Sequence, residues 1–382
     1  MVKQAVLLLA HGTPETVAQI PEYLCNVTGG RPLPPAVVEE IQRRYALIGH
    51  SPLTEITFAQ ARLVEAELAA AERDSGGEPV RVYVGMRNWR PYIADVLRQM
   101  RADGIEEAAV LCLAPQNSRA SVGLYRRALQ TEAAAPAAAE TATEAAAGAF
   151  IESGGLRLDF TASWAEHPLL IEAFAERLRP AWNRLSAEVG ASVPVLFTAH
   201  SVPCRATQAA AESREGQFAQ PRLELGGDAA PYAEEARRTA ALVAARLPEI
   251  PRWWFAFQSQ GASGRPGSSA TANSTAATTA STSAGTAPGT PPSLTWLGPT
   301  VEQTLESVAA SGAKTVLLQP IGFLSDHVEI LYDVDIHFRE FAARLNLRLE
   351  RPESQNTSAT LVRAVADLAR QGLARLASHR PS

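Results

Sequence analysis

The sequence is poor in the residues and runs on which several large classes of protein depend. Only three of its 382 residues are cysteine: Cys25, Cys112 and Cys204. Odd in number and far apart, they offer neither a disulfide framework nor a zinc or iron–sulfur spacing. No apolar run approaches the ~18 residues of a membrane-spanning helix. Basic residues are in deficit, with 35 Lys and Arg against 40 Asp and Glu, and the formal charge is −5. That balance excludes a general binder of nucleic acid or of anionic membrane, since both require a basic face. Phosphate-cradling glycine loops are missing too, because neither GTP (12–14) nor NVTGGRP (26–32) has the dinucleotide spacing. The start, MVKQAVLLLAHGTP, meets its Gly-Thr-Pro turn too soon for a secretory signal. A soluble, cytoplasmic protein is expected.

What is present is enough apolar residue for a large core. At 46% hydrophobic and 20% charged, 382 residues suit two domains of ordinary size. Two stretches differ in composition. Residues 131–149 are nearly all Ala, Thr and Glu, interrupted by Pro136. Residues 262–292 are almost purely Ala, Ser, Thr, Gly and Pro, with Arg265 the only charge. Such segments bury too little apolar surface to offset their ordering entropy, so the second is expected to be a disordered surface loop. Without them about 330 residues remain, again two domains by size.

The order of elements repeats. AVLLLAHGTP (5–14) reads as a continuously apolar strand that stops at a His-Gly-Thr-Pro turn, and VPVLFTAHSVP (193–203) has the same form. Strands apolar on both faces belong to parallel sheets. Downstream, VRVYVGM (80–86), RPYIADVLRQMRADG (90–104) and EEAAVLCLAP (106–115) read as strand, helix, strand. RWWFAFQ (252–258), TVEQTLESVAASG (300–312) and KTVLLQPIGF (314–323) follow the same order. This rhythm of βαβ units predicts an α/β fold of two similar Rossmann-like lobes, each a parallel four-stranded sheet flanked by helices. The lobes are placed at 1–155 and 156–355, with a final helix in 356–382 packing back across the body.

Ligands of open parallel sheets collect at the carboxyl ends of the strands, where His11 and His200 both fall. Beyond the later strand, PIGFLSDHVEILYDVDIHF (320–338) takes a helical period from Ser325, with Ser325 or Asp326 as the expected cap. Glu329, Asp333 and His337 then fall at i, i+4 and i+8 on one face, with Ile330, Leu331 and Tyr332 towards the core. Carboxylates one turn apart repel each other unless a cation binds or one stays protonated. Histidine with carboxylate suits a divalent first-row metal such as iron.

These residues match a family. The chain resembles ferrochelatase, which inserts ferrous iron into a porphyrin in haem synthesis. The likeness runs through LLLAHGTP (7–14), RRYALIGHSPL (43–53), LAPQNS (113–118), TAHSVP (198–203), FQSQG (257–261), WLGPTVE (296–302) and GFLSDHVEILYD (322–333). It implies a porphyrin cleft between the lobes, with His200 and Glu329 as the catalytic and metal-binding pair at its centre. Asp333 and His337 continue a path for protons or metal. His11, Arg44, Tyr45, Ser51 and Ser118 are implied to border the macrocycle, and Trp296 to pack. Fe²⁺ is then a substrate and no organic cofactor is implied. The partners are porphyrin and ferrous iron, with transient contact to neighbouring haem-pathway enzymes.

The sequence also departs from the family pattern. His11 stands where the soluble Bacillus-type enzymes carry a tyrosine, which would let it ligate iron axially, and His337 replaces a third acid. Thr28 and Ala165 stand where that type has an arginine and a tyrosine against the porphyrin. The wording PIGFLSDHVEILYD favours coproporphyrin III over protoporphyrin IX, although Thr28 removes one carboxylate partner. The alternatives are a chelatase for sirohydrochlorin or a cobalt corrin precursor, suggested by LLLAHG, and a non-enzymatic tetrapyrrole or metal carrier.

Overall fold

The structure, a computed structural model, describes residues 2–75, 79–119, 121–131, 150–206, 225–226, 229–259 and 294–380. Residues 132–149 and 262–292, which carry the two compositionally distinct stretches, lie outside them.

Uninterrupted apolar runs make the central strands. The first sheet contains β1 (Gln4–Ala10), β2 (Arg81–Met86), β3 (Glu107–Cys112), β4 (Ile151–Ser153) and β5 (Leu156–Thr161), in the order β2-β1-β3-β5-β4. All pairs are parallel except β4 with β5. The second half supplies β6 (Val195–His200), β7 (Pro203–Ala206), β8 (Leu225–Gly226), β9 (Trp253–Gln258), β10 (Leu294–Trp296), β11 (Thr315–Pro320) and β12 (Arg348–Glu350). Its main sheet, β12-β11-β6-β9, is wholly parallel. Read from the other edge, β9-β6-β11-β12 has the same connectivity as β2-β1-β3-β5, so the α/β repeat is real. Two details differ from the expected pair of four-stranded sheets. The first sheet carries β4 as an antiparallel edge strand, and β10-β7-β8 form a small antiparallel sheet of their own.

The boundary expected at 155/156 also needs correction. It falls just before β5, which pairs along its length with β3 and so belongs to the first lobe. The Ala359–Ser378 helix likewise returns to that lobe. Its Gly372 lies so close to the first sheet that a Cβ there would stand 2.8 Å from Ala109 Cβ and from Asp159 Oδ2. Arg375 pairs with Asp159 at 2.7 Å, and Arg380 with the buried Glu107 at 2.7 Å.

One apolar layer joins the lobes. Val6, Leu8 and Leu111 of the first sheet share a continuous core with Val195, Phe197 and Leu317 of the second, filled by the Pro168–Val189 and Ala359–Ser378 helices. Burial without a break across both sheets fixes the relation between their strand ends. No helix among the described residues is long and apolar enough to cross a membrane.

Candidate active site

β1 delivers His11 directly after Ala10, and the turn that follows depends on Gly12 at φ +81°. The His11 ring is locked by polar neighbours. Its Nε2 lies 2.9 Å from Tyr23 Oη, and the Asn88 amide nitrogen is 3.1 Å from both ring nitrogens. Burial, then the nearby Arg87 guanidinium, push its pKa down to about 3, so His11 is a neutral imidazole at cellular pH.

β6 ends at His200, and β11, its parallel neighbour, leads to the opposing carboxylate. After β11 the Ile321 amide donates to the Thr198 carbonyl at 2.8 Å, and Gly322 rests on the backbone of Ala199. The chain then runs to a single α-helical turn, Val328–Leu331, that carries Glu329. Glu329 Oε1 stands 3.6 Å from His200 Nε2, and its Oε2 stands 3.7 Å from His327 Nε2. Two imidazoles therefore flank one carboxylate. Part of the pair stays open, with the His200 side chain 38% and the Glu329 side chain 31% exposed.

The electrostatics follow from that geometry. Burial works against the charged form of His200, yet the Glu329 carboxylate holds its pKa above the ordinary 6.5, helped by Ser201 and Asp333. Burial also resists ionisation of Glu329, but His200 and His327 hold its carboxyl well below the usual range. Asp333 is pushed the other way, by burial and by repulsion from Glu329, against Arg44, Ser259 and His337. One ionised acid beside one reluctant acid is an arrangement that can accept and pass on protons.

Asp333 lies in a wider, π-helical turn, Asp333–Phe338, in which the His337 amide bonds the Tyr332 carbonyl at 2.9 Å. The continuous α-helix expected from Ser325 is therefore absent, and with it the strict 3.6-residue stripe. The expected Ser325 or Asp326 cap is absent as well, since His327 occupies the cap position and bonds no helix amide with its side chain. Ile330 and Tyr332 are buried as expected, whereas Leu331 is only half-buried. Ser259 Oγ donates to Asp333 Oδ2 at 2.9 Å. His337 Nε2 turns to Glu302, 3.1 Å away on the Val301–Ala310 helix.

The residues expected to border the macrocycle fall into two groups. Arg44 is engaged with protein: its Nε donates to Glu40 at 2.9 Å, its Nη1 is 3.6 Å from Asp333 Oδ1, and its guanidinium lies 4.9 Å from the Tyr332 ring centre. Tyr45, Ser51 and Ser118 are 3%, 3% and 4% exposed, so they present almost no surface to a ligand. Tyr45 belongs to a small core with Ile20, Tyr23, Leu24 and Trp89, and its hydroxyl meets Thr13 Oγ1 at 3.1 Å. Trp296 is half-buried.

Sequence reasoning missed His327, Asn88 and Tyr23. His327 sits two residues before Glu329, a spacing that an α-helix would place on another face. Here its backbone is extended, at φ −163° and ψ −177°, and its Nδ1 donates to the Ser325 carbonyl at 2.9 Å. That bond turns Nε2 towards Glu329. The signal was the SDHVE string itself, read as non-helical up to the histidine. Among the described residues no group of three or more His, Cys, Asp and Glu side chains is set as a ready-made metal cage.

The depressed pKa of His11 predicts an acid sensitivity. An unfolded histidine takes its proton near 6.5, whereas His11 takes it near 3. The unfolded state binds the extra proton in that window, so stability is lost as pH falls from 6.5 towards 3. Discounted for the exposed part of the ring, the loss between pH 7 and about 4.5 is ~1–2 kcal/mol. His11→Gln cannot titrate and should flatten that slope. Denaturant midpoints of both proteins at the two pH values check this, and equal slopes would refute it.

The family model described as Ferrochelatase matches residues 3–269 and 290–373. The Ferrochelatase of Acidobacterium capsulatum is 47% identical over 375 residues, covering 98% of this chain and 96% of that protein. The Coproporphyrin III ferrochelatase of Mycolicibacterium vanbaalenii is 32% identical over 370 residues, covering 96% and 88% respectively. Among solved structures, a multi-domain protein of Deinococcus radiodurans described as structurally similar to chelatases superposes with a TM-score of 0.51 at 13% identity. The match covers 97% of this chain and 56% of that one, and it concerns the fold alone.

Proposed function

The chain belongs to the ferrochelatase family and is a metal chelatase that inserts iron into a porphyrin, and we propose that coproporphyrin III is its preferred macrocycle and that His200, Glu329 and His327 form its reaction centre. The observation that carries the site is the Glu329 carboxylate held between two imidazoles at 3.6 and 3.7 Å, where β6 and β11 end.

Insertion exchanges two pyrrolic protons of the free-base ring for one Fe²⁺, with no change of oxidation state. It therefore calls for no redox cofactor. The ring nitrogens can take the metal only as both protons leave, so a proton acceptor must stand at the ring centre. When unprotonated, His200 accepts a proton, and the ionised Glu329 beside it raises its basicity and stabilises the resulting imidazolium. His327 supplies a second nitrogen facing the same carboxylate. Asp333, whose carboxylate has its proton affinity raised by burial and by Glu329, is the next acceptor along the chain when ionised. In the first lobe His11 stays neutral and so does not repel an arriving dication.

The choice of coproporphyrin rests on the PIGFLSDHVEILYD wording and on relatives named as coproporphyrin III ferrochelatases. The cytoplasm is the proposed site of action, with transient contact to neighbouring haem-pathway enzymes.

Anaerobic Fe²⁺ insertion, followed as loss of free-base absorption with coproporphyrin III, protoporphyrin IX and sirohydrochlorin in parallel, tests the proposal. Fastest turnover of coproporphyrin is expected. Preference for protoporphyrin would overturn the substrate assignment, and preference for sirohydrochlorin would point to the other chelatase reading.

A further inference from the structure

The segment 322–327, which leads into His327 and Glu329, is neither helix nor strand. Side chains must therefore hold it, and those side chains come from a loop far along the chain. The Asp326 carboxylate accepts from Ser354 Oγ at 2.7 Å, Asn356 Nδ2 at 2.8 Å and Arg351 Nη2 at 3.2 Å. Its backbone amide donates to Asn356 Oδ1 at 2.9 Å. One asparagine amide thus grips both the main chain and the side chain of Asp326.

Asn356 itself is tied on every side. Its amide donates to the Leu324 carbonyl at 2.8 Å. Its carbonyl accepts from Gln60 Nε2 at 2.6 Å, and the same nitrogen reaches Ser325 Oγ at 3.1 Å. Gln60 is buried on the Leu53–Ser75 helix of the first lobe, so the bracket spans both lobes. Asn356 has φ +44°, a left-handed backbone that asparagine tolerates better than most residues. Arg351 completes the frame, donating from Nε and Nη2 to the two oxygens of Asp335 at 2.8 and 2.7 Å. It thereby fixes the approach to His327 against the π turn that follows Glu329.

We propose that Asn356, with Asp326 and Arg351, is the positioning element of metal insertion, setting where His327 and Glu329 stand relative to His200. The inference rests on the site assignment above and extends it to residues that do not themselves meet the substrate. Reaction geometry is sensitive to such support, since a shift of about 1 Å at a reacting group costs up to ~100-fold in rate.

Asn356→Gly is the informative variant, because glycine keeps the positive φ while removing the amide. The expected result is a kcat for iron insertion at least ~10-fold lower, with the porphyrin Kd from fluorescence quenching within about twofold. Asn356→Asp sets two carboxylates against each other and should lose as much. The double exchange Asp326→Asn with Asn356→Asp reverses donor and acceptor and should return kcat to within about threefold of the parent.

Unchanged kcat in folded Asn356→Gly overturns the proposal, as does a loss confined to Kd. Failure of the exchange to recover kcat also overturns it. If Asn356→Gly does not fold, Ser354→Ala removes a single bond to Asp326, and an unaltered kcat there counts equally against it. Glu329→Gln, measured alongside, separates the two readings. If it retains activity, the site assignment fails and the positioning role falls with it. If it loses activity while Asn356→Gly does not, only the positioning role falls.

Discussion

Glu329→Gln and His200→Ala are each expected to slow iron insertion by at least ~100-fold, with a ceiling near 10⁴, the range spanned by positioned proton acceptors. In activation free energy that is ~3–5 kcal/mol. The glutamine keeps the shape of the carboxylate but removes its charge, so an imidazolium at His200 loses the neighbour 3.6 Å away that stabilises it. The alanine removes the acceptor altogether. Neither change should unfold the protein, because both side chains are about a third exposed and water can solvate whichever partner remains. Thermal melting, porphyrin binding by fluorescence and anaerobic Fe²⁺ insertion on the two variants provide the check. Intact folding and binding with insertion lost is the expected outcome. Retention of most of the activity by both would remove His200 and Glu329 from the reaction and favour a centre elsewhere.

Gly12→Ala should produce the largest loss of stability of any small substitution near the site, ~2–5 kcal/mol. Two costs add. An L-residue at φ +81° pays ~1–2 kcal/mol for left-handed backbone. The new methyl would also stand 2.8 Å from Trp89 Cβ, 3.0 Å from the Trp89 amide nitrogen and 3.1 Å from Met86 Cβ. No rotamer change moves those atoms, so relief requires the β1 and β2 strand ends to part, at ~1–3 kcal/mol. A domain stable by ~5–15 kcal/mol would survive, but with His11 displaced from Tyr23 and Asn88. Gly104→Ala is the control, since Gly104 has φ +75° and nothing within 4 Å of a built Cβ. Denaturant midpoints should fall clearly further for Gly12→Ala than for Gly104→Ala. Equal losses would mean that the Trp89 contact costs nothing and only the backbone matters.

Much of the scaffold was legible because continuously apolar strands carry their own signature. β1, β6 and β11 lie where the runs AVLLLA, VPVLFTA and KTVLLQP place them, and the matching order of the two halves gave the repeat. The lobe boundary was less legible. LRLDFT (156–161) looks like any half-apolar strand, and only its pairing with β3 assigns it to the first sheet. The exposure of Tyr45 was misjudged for a similar reason. The resemblance implied that it borders the macrocycle, whereas packing against Tyr23 and Trp89 draws the ring inside.

The sequence by itself determined the α/β class, the duplication, the placing of His11 and His200 at the ends of strands, and that of Glu329 in the segment that follows one. Those properties are local, being set by runs of apolar residues and by where turns interrupt them. Only the tertiary structure decided how the centre is composed. His327 faces Glu329 because the backbone there is extended rather than helical, and a π turn replaces the expected stripe. The bracket on Asp326 comes from residues 351–356, a loop with no periodicity to betray it. Hydrogen bonds between segments distant in sequence leave no pattern in either segment, so their geometry exists only once the chain has folded.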